Sequence, residues 1–163
     1  MLVIHRSWQQ QLTGHDDAII PVAGVAALDV LLDELHAQAV ADSYPHAVTI
    51  YPGDRYPHGG HGEDDRWIDE DPGDGPMPEL TLVVGAEESP LYWDEPSGKE
   101  LISAGARQAS QPAGEESFEY FYGGQESYAP RSALVPLDQA REAARLFAAS
   151  GGQQPATIAW QPG

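Results

Sequence analysis

Apolar residues recur at spacings of three and four in two stretches of the chain, which predicts two amphipathic helices. The first helix should run from residue 25 to residue 41, where Asp, Ser and Pro interrupt the pattern. Its apolar stripe consists of Val25, Leu28, Leu32, Leu35 and Ala39, widened by Leu31. The second helix should begin at Pro136 and end at Ser150, with Gly151 in the left-handed conformation that closes many helices. Its stripe consists of Leu137, Ala140, Ala144 and Phe147.

Short segments rich in β-branched and aromatic residues, separated by Gly, Pro and Glu, predict β-strands. They span residues 2–8, 18–22, 47–51, 80–85, 89–94, 99–104, 118–122 and 157–160, the first of them as an edge strand. Their short spacing after residue 80 indicates an antiparallel meander. Because strands outnumber helices, we expect an α+β fold, a mostly antiparallel β-sheet with two amphipathic helices packed on a face.

Within residues 118–122, strand alternation separates two sets of side chains. It places Phe118, Tyr120 and Tyr122 on one side, and Glu119 and Phe121 on the other.

Residues 52–78 differ in kind, because Gly and Pro recur every few positions and no periodicity survives. A loop of this length inside a compact domain is usually either functional or disordered. It carries seven acids between Glu63 and Asp74 against one base, with Trp67 and Ile68 in the middle of the run. Trp67 is expected either to anchor an interface or to fold back over the sheet edge.

The 163 residues together are expected to form a single domain.

Charge is the most uneven property of the composition, since 26 acids against 8 bases give a net charge of -18. Such a surface repels nucleic acid as a direct ligand and attracts a basic partner. Solubility or salt adaptation would explain the charge equally well. The N-terminal residues show no signal-peptide pattern, and no apolar run is long enough for a membrane span, so the expected location is the cytoplasm.

Motifs for catalysis are missing from the sequence. Without cysteine, disulfides and thiolate metal sites are excluded. His58 and His61, followed by Glu63 and Asp64, carry zinc-binding groups, but on a glycine-rich loop we expect no native metal. The nucleophile elbow, the phosphate-binding loop and the dinucleotide fingerprint are absent, so no cofactor and no enzymatic activity are expected. Trp93 and Trp160 are expected in the core.

The last third of the chain carries a recognisable order of segments. A strand ends in Tyr120-Phe121-Tyr122-Gly123-Gly124, and Ser132 and Leu134 then precede Val135-Pro136 and the second helix. A turn with Gly152 and Pro155 leads to a closing segment with Ile158 and Trp160. Upstream, the segments VAALDVLLDEL, TIY, LTLVVG and LYW fit the same order. This order resembles a family of bacterial immunity proteins that are encoded beside polymorphic toxins, often toxins of the nucleobase-deaminase type. The loop 53–78 is longer and more acidic than the family pattern.

The resemblance implies a non-enzymatic inhibitor that binds one cognate toxin domain and blocks its active site or substrate groove. A cytosine deaminase acting on nucleic acid is the expected target, with the acidic surface mimicking phosphate. The protein should be a monomer when free, because like charge opposes self-association. The expected partner-binding residues are Glu63, Asp64, Asp65, Trp67, Asp69, Glu70, Asp71, Glu88, Asp94, Glu95 and Glu119.

The alternative is a small-molecule-binding or enzymatic α+β domain that uses the aromatic sheet as a pocket. A convergent polar cluster with perturbed pKa values inside a deep pocket would favour this second interpretation. A flat or convex acidic face would favour the inhibitor.

Overall fold

Eleven β-strands and two α-helices make up the described part of the computed structural model, which comprises residues 2–10, 14–53, 77–105 and 117–163. The helices are α1 (Val25–Asp42) and α2 (Leu137–Ser150). The strands are β1 (Leu2–Gln10), β2 (Gly14–Val22), β3 (His46–Pro52), β4 (Glu79–Val84), β5 (Glu88–Ser89), β6 (Leu91–Asp94), β7 (Glu100–Ser103), β8 (Phe118–Tyr122), β9 (Gln125–Ala129), β10 (Val135–Pro136) and β11 (Trp160–Pro162).

Nine of these strands form one sheet, with β5 and β10 pairing separately. The main order is β11-β7-β6-β4-β3-β1-β2, and every neighbouring pair in it is antiparallel. The β8–β9 hairpin joins through a parallel bridge between His46 and Phe121. The predicted α+β fold with a mostly antiparallel sheet is confirmed.

Both helices pack on the same face of this sheet. The predicted α1 stripe is buried at Leu28, Leu32, Leu35 and Ala39, and that of α2 at Ala140, Ala144 and Phe147, together with Ala143. Fully burying each large apolar side chain contributes about 1.5–3 kcal/mol. Ion pairs join the helices, with Arg145 Nε 2.8 Å from Asp29 Oδ1 and a second pair between Arg141 and Asp33.

The opposite face of the sheet is partly covered by the β8–β9 hairpin. Its inner side buries Tyr120 and Ala129 against Ala47 of β3 and Val83 of β4. The hairpin turns at Gly123 and Gly124, whose φ values of 58° and 75° suit a two-residue turn with both central residues left-handed. Phe121 N also donates to Pro45 O at 2.9 Å, so backbone bonding fixes the hairpin to the start of β3.

Three sequence predictions about strands were wrong. β1 is not an edge strand, because β2 and β3 pair on its two sides; the continuous apolar run from Leu2 to Ile4, buried throughout, is typical of an interior strand. The segment predicted at 157–160 pairs with β7 only from Trp160 onward, since Ile158 reaches the core from a turn. The segment predicted at 89–94 divides at Pro90, which has no N–H to donate to a ladder.

The sequence analysis also missed β9. Trp93 lies in the core, as predicted. Trp160 is partly buried and packs against the core. No helix in the ranges given above combines the length and the apolarity needed to cross a membrane.

Adjacent strands β3 and β4 bracket the long acidic loop. Ile50 pairs with Leu80, so the two strand ends at Pro52 and Pro78 lie side by side. Both prolines contact the turn after α2, because a Cβ added to Gly152 would come within 2.5 Å of Pro78 Cγ and 2.9 Å of Pro52 Cγ. Residues 54–76, which include Trp67 and the seven acidic residues between Glu63 and Asp74, lie outside the described residues.

Candidate functional site

Two surfaces in the described chain concentrate aromatic and acidic side chains. The first lies on the sheet face opposite the helices, where strand alternation directs polar residues of β3, β4 and β6 away from the helical core. We call it the tyrosine–carboxyl cluster. It consists of Thr49, Tyr51, Glu79, Thr81, Tyr92, Asp94, Tyr120 and Tyr122.

Hydrogen bonds tie the tyrosine–carboxyl cluster together across strands. Thr49 Oγ1 and Thr81 Oγ1 lie 2.8 Å apart and are both buried. Tyr120 donates its hydroxyl proton to the Tyr92 hydroxyl at 2.9 Å, which joins the hairpin to β6. Glu79 and Asp94 are cross-strand partners and share a hydrogen bond.

Burial changes the acid–base properties of this cluster. The pKa of Glu79 is raised to about 7, first by burial and then by the hydrogen bond and negative charge of Asp94, whereas a hydrogen bond from Tyr51 opposes the rise. Burial is also the main cause of the raised pKa of Tyr92 and of Tyr120. With a pKa of about 7, Glu79 is partly protonated near neutral pH, because ionising it beside the Asp94 carboxyl group is unfavourable.

The second surface is the outer side of the β8–β9 hairpin together with the residue that follows the α1 cap. We call it the acidic–aromatic face. Cross-strand pairing sets Glu119 opposite Tyr128 and Phe121 opposite Glu126, so all four side chains share one side. The face consists of Tyr44, Glu119, Phe121, Glu126 and Tyr128.

Rings and carboxylates are close together on the acidic–aromatic face. The ring centroids of Tyr44 and Phe121 are 4.3 Å apart, and Phe121 stacks at 5.7 Å on the buried His46. The pKa of Tyr44 is raised by partial burial and then by the charges of Glu119 and Glu126. The pKa of Tyr128 is raised mainly by Glu126, with which its hydroxyl bonds at 3.3 Å. The local potential is therefore negative beside exposed rings.

The expected partner-binding residues that the structure describes do not form one patch. Asp94 belongs to the tyrosine–carboxyl cluster and Glu119 to the acidic–aromatic face. Glu95 lies in the turn after β6, where it accepts a hydrogen bond from Ser97 at 2.8 Å. Glu88 pairs with Pro136 in the small second sheet. The other seven, namely Glu63, Asp64, Asp65, Trp67, Asp69, Glu70 and Asp71, fall in the part that is not described.

Sequence reasoning missed Tyr44, Glu126, Tyr128 and Glu79 as site residues. A hairpin signal was present for Glu126 and Tyr128, because Gly-Gly between two aromatic-rich segments predicts a tight turn. Tyr44 and Glu79 carry no local signal, since their neighbours come from strands far away in sequence.

Two open depressions lie on the described surface at places away from the centre of the tyrosine–carboxyl cluster. One of about 450 Å³ is lined by Ser117, Phe118, Glu119 and Arg131. The other, about 380 Å³, runs between β2 and α1 and is mostly apolar, with Ile20 and Val30 in its lining. The described residues bring no three His, Cys, Asp or Glu side chains into a metal-binding group, and His58 and His61 lie outside them.

Comparison with models of protein families gives a match over most of the chain. A family model described as immunity protein Imm1 matches residues 16–162. The match includes both helices, the tyrosine–carboxyl cluster and the acidic–aromatic face. No curated protein matches the chain.

Proposed function

Because the chain belongs to the Imm1 family of immunity proteins, we propose that it binds one toxin domain encoded at its own locus and covers the active site or substrate groove. The family match over residues 16–162 is the observation that carries this proposal. Inhibition by binding requires no catalytic group on the immunity protein, and we propose that this chain is not an enzyme. It would act in the cytoplasm, where the toxin would meet its substrate.

We further propose that the toxin acts on nucleic acid, as a cytosine deaminase does. A protein that binds nucleic acid presents positive charge to the phosphates. The net charge of -18 complements such a groove and repels the nucleic acid itself. The inhibitor would thus occupy the groove in place of phosphate.

Co-expression with the neighbouring toxin domain tests the function directly. The wild-type chain should restore growth to cells that express the toxin, and it should form a complex with a catalytically inactive toxin in size-exclusion chromatography. A toxin domain from another locus is the control and should remain lethal. Lethality of the cognate toxin in the presence of well-expressed chain would refute the proposal.

We also propose that the acidic run from Glu63 to Asp71 belongs to the partner surface, with Trp67 as its apolar anchor. Trp67→Ala should weaken binding to the inactive toxin by about 2 kcal/mol or more, because buried Trp residues dominate interface energies. Isothermal titration calorimetry measures the affinity, and circular dichroism checks that the variant is folded. Wild-type affinity in the folded variant would exclude Trp67 as an anchor.

The tyrosine–carboxyl cluster favours one second candidate, a small-molecule site. Glu79 has a pKa of about 7 among tyrosines, as a ligand-binding or catalytic group often does. However, the two depressions lie elsewhere on the described surface. Glu79→Gln removes the titrating carboxyl group and should leave toxin protection unchanged if the inhibitor interpretation holds, whereas a loss of protection with intact folding would place a functional site in the cluster.

A further inference from the structure

We propose that the acidic–aromatic face is the surface that docks on the toxin, and that it seats an arginine or lysine side chain of the toxin against its rings, between Glu119 and Glu126. This assignment rests on the proposed function, because it names the surface and the partner chemistry of the same binding event. Four observations support it.

Aromatic exposure is the first observation. Tyr128 is 56% exposed although it is paired with Glu119 within the hairpin. On the same side, Phe121 and Tyr44 are half-buried and in contact, with their ring planes tilted by 36°. Tyrosines presented this way are typical of residues that bury area on binding at small entropic cost.

Charge is the second observation. Glu119 and Glu126 are exposed and make no ion pair with a cationic side chain in the described chain, where the basic residues Arg141 and Arg145 are used between the helices. Arg131 is close by and lines a depression together with Glu119. A guanidinium or ammonium group satisfies both features of this face, since it is attracted by ring faces and by carboxylates.

Rigidity is the third observation. On the inner side of the hairpin, the buried Tyr120 donates a hydrogen bond to the Tyr92 hydroxyl. The backbone hydrogen bond from Phe121 N to Pro45 O fixes β8 to the start of β3. The short Gly-Gly turn fixes the register of its two strands. A face that is ordered before binding loses little conformational entropy when the partner arrives.

The fourth observation is how the alternative surfaces differ. In the tyrosine–carboxyl cluster, Glu79 and Asp94 are partly buried cross-strand partners, and the raised pKa of Glu79 reduces the charge available to a basic partner. The depression between β2 and α1 is mostly apolar, with Glu34 at its rim. In neither do exposed carboxyl groups flank aromatic rings, as Glu119 and Glu126 do on the acidic–aromatic face.

A matched pair of double variants tests the role of the charges. Glu119→Gln with Glu126→Gln removes two charges from the face, and Glu34→Gln with Glu87→Gln removes two exposed charges elsewhere. With inactive toxin at 50 mM salt, stopped-flow association should be about tenfold slower for the first pair. The second pair should stay within about twofold of wild type. Equal effects of the two pairs, or a larger effect of the second, would overturn the proposal.

Two substitutions at one position test the role of the rings. Tyr128→Phe keeps the aromatic face and should bind within about twofold of wild type. Tyr128→Leu keeps apolar volume without the ring quadrupole and should weaken binding about fivefold or more. Equal affinities of the two variants would overturn the contact between rings and cation. Thermal melting of each variant confirms that the hairpin is intact.

The wild-type control separates failure of this inference from failure of the proposed function. If the wild-type chain does not bind the toxin, the proposed function falls and this assignment falls with it. If the wild-type chain binds and protects while the hairpin variants do so equally well, the function stands and the docking surface lies elsewhere.

Discussion

Glu79 is the described carboxyl group whose pKa departs clearly from its ordinary value. Its pKa is raised to about 7 by burial first, then by the hydrogen bond and charge of Asp94 and the charge of Glu100, while a hydrogen bond from Tyr51 opposes the rise. Tyr122, whose own pKa is raised by burial and then by Glu79, belongs to the same group. Because the folded pKa lies above the unfolded one, the folded state binds the proton more tightly. Its contribution to stability is therefore complete below about pH 4.5 and is lost as the pH rises through about 7.

Glu79→Gln should remove this pH dependence. Glutamine keeps the size of the protonated acid and cannot ionise, so the variant should be more stable than wild type at pH 8 by about 1–3 kcal/mol. At pH 4.5 the two should be nearly equal. Urea denaturation at several pH values measures the difference, and Glu34→Gln is the exposed control. A difference that does not change between pH 4.5 and pH 8 would contradict the prediction.

Single site residues were the least predictable part of the molecule. Asp94 and Glu119 were expected on a partner surface, but the sequence does not reveal that Asp94 is the cross-strand partner of Glu79 on the neighbouring strand. Tyr44 gains its role from Phe121, which lies 77 positions further along the chain. Long-range register decides both contacts, and local residue patterns do not contain it.

At the scale of elements, α1 ends on an unusual residue. Ser43 has φ of 59°, in the left-handed region that β-carbon crowding disfavours, whereas α2 ends on Gly151 with φ of 73°. Both residues donate backbone hydrogen bonds to carbonyls in the last turn.

Ser43→Gly should stabilise the protein by about 0.5–1 kcal/mol, because glycine adopts this conformation without steric cost. The reverse test, Gly151→Ser, should destabilise it by a similar amount, since no added Cβ would clash there and only backbone strain changes. Chemical denaturation of both variants checks the two signs. A destabilised Ser43→Gly would show that the serine side chain contributes more than the strain it causes.

Elements with strong periodicity were predictable, and short ones were not. Leu28 and Phe147 lie on apolar stripes that helix geometry alone places in a core. The predicted ends of both helices therefore agree with the observed ends to within two residues. β9 has two glutamine or glutamate residues and a serine before its tyrosine, a polar composition that hides a strand whose outer side faces solvent. β11 has three residues and depends entirely on its partner β7.

For the whole molecule, the surplus of 26 acids over 8 bases should keep the free chain monomeric. Light scattering at low micromolar concentration and low salt should give a mass near 17.6 kDa. A stable dimer under these conditions would contradict the prediction. Added salt should also raise the melting temperature by a few degrees, because screening relieves repulsion within the folded state.

The junction of Pro52, Pro78 and Gly152 has a consequence for how relatives of this protein can diverge. β3 and β4 pair as far as Ile50 and Leu80, and the two prolines meet at Gly152, so the two ends of the loop are held close together. The length of the loop therefore matters little to the sheet and helices, because doubling a loop adds only about 0.6 kcal/mol of closure entropy. Insertions, deletions and recombination between paralogues at these two prolines should therefore leave the sheet and helices unchanged. If the loop carries part of the proposed partner surface, exchange of this one segment would change which toxin is recognised while the sheet and helices stay the same.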